Sequence, residues 1–92
     1  MQHILTKITN EAGLHARPAS EFVKLAAHFK ALLQIRNVTK SSPWVDAKSI
    51  LSVLTLGVEK GHEIELTADG MDAEIAIQAL RSLIETDFTE KL

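Results

Sequence analysis

In HEIELTA, residues 62–68, Ile64, Leu66 and Ala68 alternate with Glu63, Glu65 and Thr67. That period of two marks a strand with one buried face, and the place of this strand in the sheet governs the topology of the chain. Three more stretches of strand character lie upstream. HILTKIT (3–9) sets Ile4, Thr6 and Ile8 against Leu5 and Lys7, ALLQIRNV (31–38) is a second strand, and PWVDA (43–47) is a short third. Pro43 suits a strand start or edge because it donates no ladder hydrogen bond. Between the first two strands the spacing changes. Ala19, Phe22, Val23, Ala26 and Phe29, with Glu21 and Lys24 opposite, predict an amphipathic helix from Ala16. KSILSVLTLG (48–57) reads as a short helix, with Ser49 as N-cap and Gly57 to close it. After the turn DGMD (69–72), in which Asp72 is placed to cap, a last helix carries Ala73, Ala76, Leu80, Leu83 and Ile84 on its inner stripe.

The order is therefore β-α-β-β-α-β-α, which predicts an α+β fold with one layer of helices on one face of a sheet. If another strand lies between the first two, the neighbours pair antiparallel. HEIELTA is the natural candidate for that place. At 92 residues the chain is long enough for one domain and too short for two. A net charge of −2 gives no electrostatic reason to expect nucleic acid or an anionic membrane as partner. The absence of cysteine excludes a disulfide framework and any thiolate site. No apolar run approaches the roughly 20 residues that span a bilayer, and MQHILTKITN lacks the build of a signal peptide. A cytoplasmic protein is the expectation.

GLHARPAS, residues 13–20, opens the first helix. With His15 as N-cap, Ala16, Arg17 and Pro18 form the first turn, where proline is tolerated because the first N–H groups have no helical acceptor. Those free N–H groups and the positive end of the helix dipole make an anion site of Ala16, Arg17 and Pro18. The Arg17 guanidinium adds a fork suited to phosphate. The same field disfavours an imidazolium, so the expected form of His15 is the neutral, nucleophilic ring. A phosphoryl group taken up there would turn an unfavourable place for charge into a favourable one. Gly13 lets the preceding turn approach closely or take positive φ. On the residues alone a second reading stays open, with His15 a surface residue and Pro18 a helix starter.

In the short helix, Ile50 and Val53 are expected in the core, with Leu51 and Leu54 partly exposed beside the His15 end. An apolar patch ringed by polar groups suits protein docking; the alternative buries all the aliphatic side chains. His3, His28 and His62 are scattered without ligand spacing, so no metal site is expected. His28 suits a helix C-terminus, and His62 opens a strand. Glu63, Glu65, Asp72 and Glu74 read as solvated surface. No Walker loop or glycine-rich dinucleotide turn is present, and no cofactor is expected.

Together, GLHARPAS and AKSILSVLTLG (47–57) resemble HPr, the histidine phosphocarrier family of the bacterial phosphoenolpyruvate–sugar phosphotransferase system. The likeness runs from the first strand to the final helix, so one HPr-like domain over 1–92 is expected. The resemblance implies an open-faced β-sandwich of βαββαβα order, a four-stranded antiparallel sheet with three helices on one face. It implies that His15 accepts, at ring Nδ1, a phosphoenolpyruvate-derived phosphoryl group from enzyme I and passes it to enzyme IIA domains in sugar uptake. Arg17 is then the phosphate stabiliser, and the protein is a transferase intermediate without turnover of its own. The implied docking face comprises Ser20, Lys24, Leu51, Ser52, Leu54 and Thr55; a monomer is the simplest expectation from the sequence itself, which shows no strong heptad or additional apolar face. Ser49 stands where the family carries a regulatory serine, phosphorylated in some bacteria by a dedicated kinase. A phosphate at a helix start is locally stabilised yet adds roughly −2 charge to a docking face. The preferred reading of Ser49 is a simple N-cap, because the serine also occurs in members that lack the kinase. The alternative function is a regulatory, phospho-dependent binding module of nitrogen-branch or catabolite-control type, with a serine kinase/phosphorylase or a transcription regulator as partner. Two departures stand out: RNVTKSSPW (36–44) is longer than usual in the family, and Trp44, atypical there, either caps the sheet edge or extends a contact surface.

Overall fold

Antiparallel pairing sets the architecture. The computed structural model describes residues 1–88, in the order β1 (Gln2–Lys7), α1 (Ala16–Ala26), β2 (Leu32–Asn37), β3 (Val45–Asp46), α2 (Ile50–Thr55), β4 (Glu63–Asp69) and α3 (Ala73–Glu85). The sheet runs β1-β4-β2-β3. β4, the strand inside HEIELTA, lies between β1 and β2, and Leu66 stands opposite Ile4 on one side and Ile35 on the other. All four strands pair antiparallel. β3 keeps only two residues of PWVDA on the ladder, opposite Gln34 and Ile35.

One face of the sheet carries Ile4, Leu33, Ile35, Ile64, Leu66 and Ala68, all buried. α1 supplies Ala19, Phe22 and Ala26 to that core, and α3 supplies Ala73, Ala76, Ile77, Leu80, Leu83 and Ile84. Burying each of the larger aliphatic or aromatic side chains stabilises by about 1.5–3 kcal/mol. The result is an α+β fold in which a four-stranded antiparallel sheet carries three helices. α1 touches both α2 and α3, and α3 lies against β1 and β4.

Four expectations need correction. Ile50 is 39% exposed rather than in the core; Val53 and Leu56 carry the buried stripe of α2. Side chains on a helix lean toward its N-terminus, so Ile50, in the first position, overhangs the edge of what the short helix covers. Asp72 stands at the N-cap position of α3 but makes no side-chain cap bond. Its carboxylate instead accepts from the backbone N–H groups of Lys30 and Ala31, both at 2.8 Å, so it ties the entry of β2 to the start of α3 and is not solvated surface. Glu65 also leaves the solvated set. β4 is a central strand, so Glu65 faces Leu5 on one neighbour and Arg36 on the other, and it pairs with the Arg36 guanidinium at 2.8 Å. That guanidinium lies 5.1 Å from the Trp44 ring centroid. Trp44 thus stacks on Arg36, the partner of Glu65. His62 precedes β4 and has a larger role, described below.

The Lys30 N–H is the chief influence holding the Asp72 carboxyl below the usual carboxylate range; the Ala31 N–H and the Lys48 ammonium act in the same sense against partial burial. A depressed native value stabilises the fold above the ordinary carboxyl titration near 3.8, and that stability is lost as pH falls through the native value. Asp72→Asn is therefore expected to lie below the wild type in urea melts at pH about 6, with the gap closing as pH falls below the ordinary carboxyl value. A gap independent of pH would contradict this role for the carboxylate.

Candidate functional site

The loop between β1 and α1 is built on a close approach. Gly13 has φ of +64°, and a Cβ there would collide with the Val58 carbonyl oxygen and lie 2.9 Å from Glu59 Cα. The next residue, Leu14, is buried and donates its N–H to that same Val58 carbonyl at 3.0 Å. Asn10 braces the turn from within: its Nδ2 donates to the Gly13 carbonyl at 2.9 Å, and its own carbonyl accepts the Gly13 N–H at 3.2 Å. The loop before His15 is therefore pressed against the segment that carries Glu59.

His15 is the N-cap of α1, extended at φ −128° and ψ 163°, with no side-chain cap bond. Ala16 follows with φ +51°, a left-handed conformation that costs a non-glycine residue about 1–2 kcal/mol. Pro18 has no N–H, and the first helical donor is Ala19, 3.5 Å from the His15 carbonyl. The backbone N–H groups of Ala16 and Arg17 have no acceptor among the described residues, and both residues are exposed. These two donors lie where the sequence leads one to expect an anion site; Pro18, counted in that expectation, offers no N–H to it.

The His15 ring is fixed by a residue that the sequence reading missed. Its Nε2 lies 3.1 Å from Glu59 Oε2, with side-chain exposures of 37% and 62%. The two are 44 residues apart in the chain, and EKG (59–61) reads only as a turn before the strand, so no local pattern pointed to the pair. His62 organises that turn. Its Nδ1 accepts the Glu59 N–H at 3.0 Å, and its own N–H donates to the Glu59 carbonyl at 3.0 Å. Asn37, fully buried at the end of β2, donates from Nδ2 to the same His62 nitrogen at 3.2 Å and to the Leu56 carbonyl at 3.1 Å, and its Oδ1 accepts the Lys40 N–H. One buried amide thus joins the β2–β3 hairpin, the end of α2 and the Glu59 turn. Lys60 pairs with Glu11 at 2.9 Å, but both are exposed and such pairs contribute little.

α2 packs against α1. Leu51 is 74% exposed and Leu54 38%, with half-exposed Ile50 added to them. Of the expected docking residues, Lys24 and Thr55 are exposed, and Ser20 and Ser52 are half-buried. Ser49 caps α2 as expected, its Oγ accepting the Ser52 N–H at 3.3 Å. His28 closes the other end of α1, bonding through Nδ1 to the Lys24 carbonyl at 2.8 Å.

A histidine raised at the start of the first helix of an open α+β sandwich, among unsatisfied amides, is the arrangement of a small phosphoryl carrier. The chain belongs to the HPr family of the phosphotransferase system: the family model of the PTS HPr component phosphorylation site matches residues 4–86. It is 40% identical over 84 residues to the phosphocarrier protein HPr of Neisseria meningitidis serogroup A, covering 91% of each chain. Among solved structures it is similar to HPr-C-His from Thermoanaerobacter tengcongensis, with a TM-score of 0.91, 42% identity and full coverage of both chains. It is also 39% identical to the multiphosphoryl transfer protein of Vibrio cholerae, of which it spans 21% of the length while 91% of the chain is matched.

Gly13→Ala tests the close approach directly. Strain at positive φ and the collision with Val58 are expected to lower unfolding stability by about 2–4 kcal/mol, measured by urea titration. A loss within 0.5 kcal/mol, the range of an ordinary surface substitution of about that size, would show that the loop does not depend on the missing Cβ.

Proposed function

We propose that His15 accepts a phosphoryl group, derived from phosphoenolpyruvate, from enzyme I and passes it to enzyme IIA domains in sugar uptake. The observation that carries this reading is the division of labour on one ring. Nε2 is engaged by Glu59, Nδ1 has no hydrogen-bond partner among the described residues, and the free N–H groups of Ala16 and Arg17 belong to the adjoining turn. The lone pair on Nδ1 attacks phosphorus while the donor's bond to phosphorus breaks, and the reverse step delivers the group to the next acceptor. Such transfers pass through a loose transition state, so positioning and charge supply most of the catalysis. The phosphoryl group adds roughly −2 charge beside the free amides and the Arg17 guanidinium, which forks well onto phosphate oxygens. Membership of the HPr family supports the same assignment of His15 and Arg17.

Docking is assigned to the face formed by α1 and α2. Leu51 and Leu54 are its exposed apolar centre, with Ser20, Lys24, Ser52 and Thr55 at the rim. Apolar area that carries no load in the fold is suited to contact with a partner. The carrier acts on no substrate of its own, and a cytoplasmic setting follows from the proposed phosphate donor.

With enzyme I, Mg²⁺ and phosphoenolpyruvate, the wild type is expected to gain the mass of one phosphoryl group at neutral pH, and His15→Ala none, with unchanged circular dichroism. A His15→Ala protein that still became phosphorylated would overturn the assignment. Leu51→Glu is expected to keep the fold and to raise the KM of enzyme I for this carrier by about ten-fold, the effect of losing roughly 1.4 kcal/mol of contact. An unchanged KM would move the docking face elsewhere.

A further inference from the structure

We infer that Glu59 is a positioning residue that keeps a proton on His15 Nε2 throughout transfer, and that His62 and Asn37 hold it in place to do so. This rests on His15 being the phosphoryl acceptor. An ionised carboxylate can only accept hydrogen bonds, so the 3.1 Å contact requires Nε2 to carry the hydrogen. A neutral imidazole has one N–H, and the lone pair is then on Nδ1. Glu59 thereby selects which nitrogen is the nucleophile.

The same contact acts after the chemical step. When Nδ1 bonds to phosphorus and Nε2 keeps its hydrogen, the ring becomes a cation, and a carboxylate lies beside it. When the group moves on, the N–P bond breaks, its electron pair returns to Nδ1, and a neutral imidazole is left. No proton enters or leaves the ring in the cycle. Had Nε2 lost its hydrogen in the phosphorylated state, the leaving group would be an imidazolate, a far more basic anion, and transfer would be slow.

The support beneath Glu59 acts on its backbone, and so sets where the carboxylate starts from. His62 Nδ1 accepts from both the Glu59 N–H and Asn37 Nδ2. A ring nitrogen with two donors pointed at it carries no hydrogen, so His62 in this structure is itself the Nε2–H tautomer. Asn37 shows no exposed surface and is bonded at both ends of its amide. The Gly13 approach brings the loop before His15 against Glu59 Cα.

Nitrogen-15 NMR of the unphosphorylated protein at about pH 8, where a histidine of ordinary acidity is neutral, reads the tautomer of His15. The wild type is expected to show mainly Nε2–H. Glu59→Ala is expected to lower the ratio of Nε2–H to Nδ1–H about two- to five-fold, the scale of a half-exposed charged contact, and His62→Ala to lower it in the same direction with Glu59 intact. Glu59→Gln keeps an acceptor but loses the charge. Because its amide can also donate to a bare Nε2, it is expected to lower the tautomer ratio as well and to slow transfer from the phosphorylated protein to an enzyme IIA domain, with unchanged KM. A wild type that takes up no phosphate defeats the carrier reading, whatever the tautomer. A wild type that is phosphorylated, with a Glu59→Ala protein of equal tautomer ratio and equal transfer rate, defeats this one.

Discussion

One backbone hydrogen bond, from Leu14 N–H to the Val58 carbonyl, brings the two halves of the site together. It stands at the end of the β1–β4 ladder, which continues past the strands themselves through Ile8 N–H to the His62 carbonyl and Gly61 N–H to the Ile8 carbonyl. Because β4 pairs with β1, the turn before β4 and the loop after β1 emerge side by side. Histidine and glutamate, far apart in the chain, then have nowhere to go but against each other. The contact is close enough that only glycine fits at position 13. The left-handed Ala16 is the conformational cost of turning directly from that clamp into α1.

The proposed function rests on what the clamp leaves unsatisfied. A buried core with complete hydrogen bonding would offer a phosphate nothing. Here the N–H groups of Ala16 and Arg17 have no acceptor among the described residues, at an exposed helix start. The imidazole has one nitrogen engaged and one open. For the transfer proposed above, position and charge supply most of what is needed. The exposed leucines of α2, Leu51 and Leu54, sit on the helix that packs against α1.

Much of this was legible in the sequence, for reasons that can be named. The alternation of Ile64, Leu66 and Ala68 marked β4 and made it the natural candidate for the place between β1 and β2, where it is. The helix start at His15, the cap at Ser49 and the stop at Gly57 were local events of a few residues, and all three are present. Ile50 was misplaced because helical spacing ignores how little a helix of six residues covers. Asp72 and Glu65 were misread because their partners come from other strands: the backbone of Lys30 and Ala31 for one, Arg36 for the other. Glu59 and Asn37 carried no signal at all, since their meaning depends on contacts 19 to 44 residues away. Local propensity reaches elements and caps; a side chain that acts across the sheet becomes visible only once the strands are paired.

The most direct test of the central claim is to find the atom that carries the phosphorus. One-bond phosphorus–nitrogen coupling in the nitrogen-15-labelled phosphoprotein identifies it. Coupling to Nδ1 of His15, with a hydrogen still on Nε2, is the predicted result. Phosphorus on Nε2 of that ring, on another histidine, or on a hydroxyl such as that of Ser49 would contradict the account.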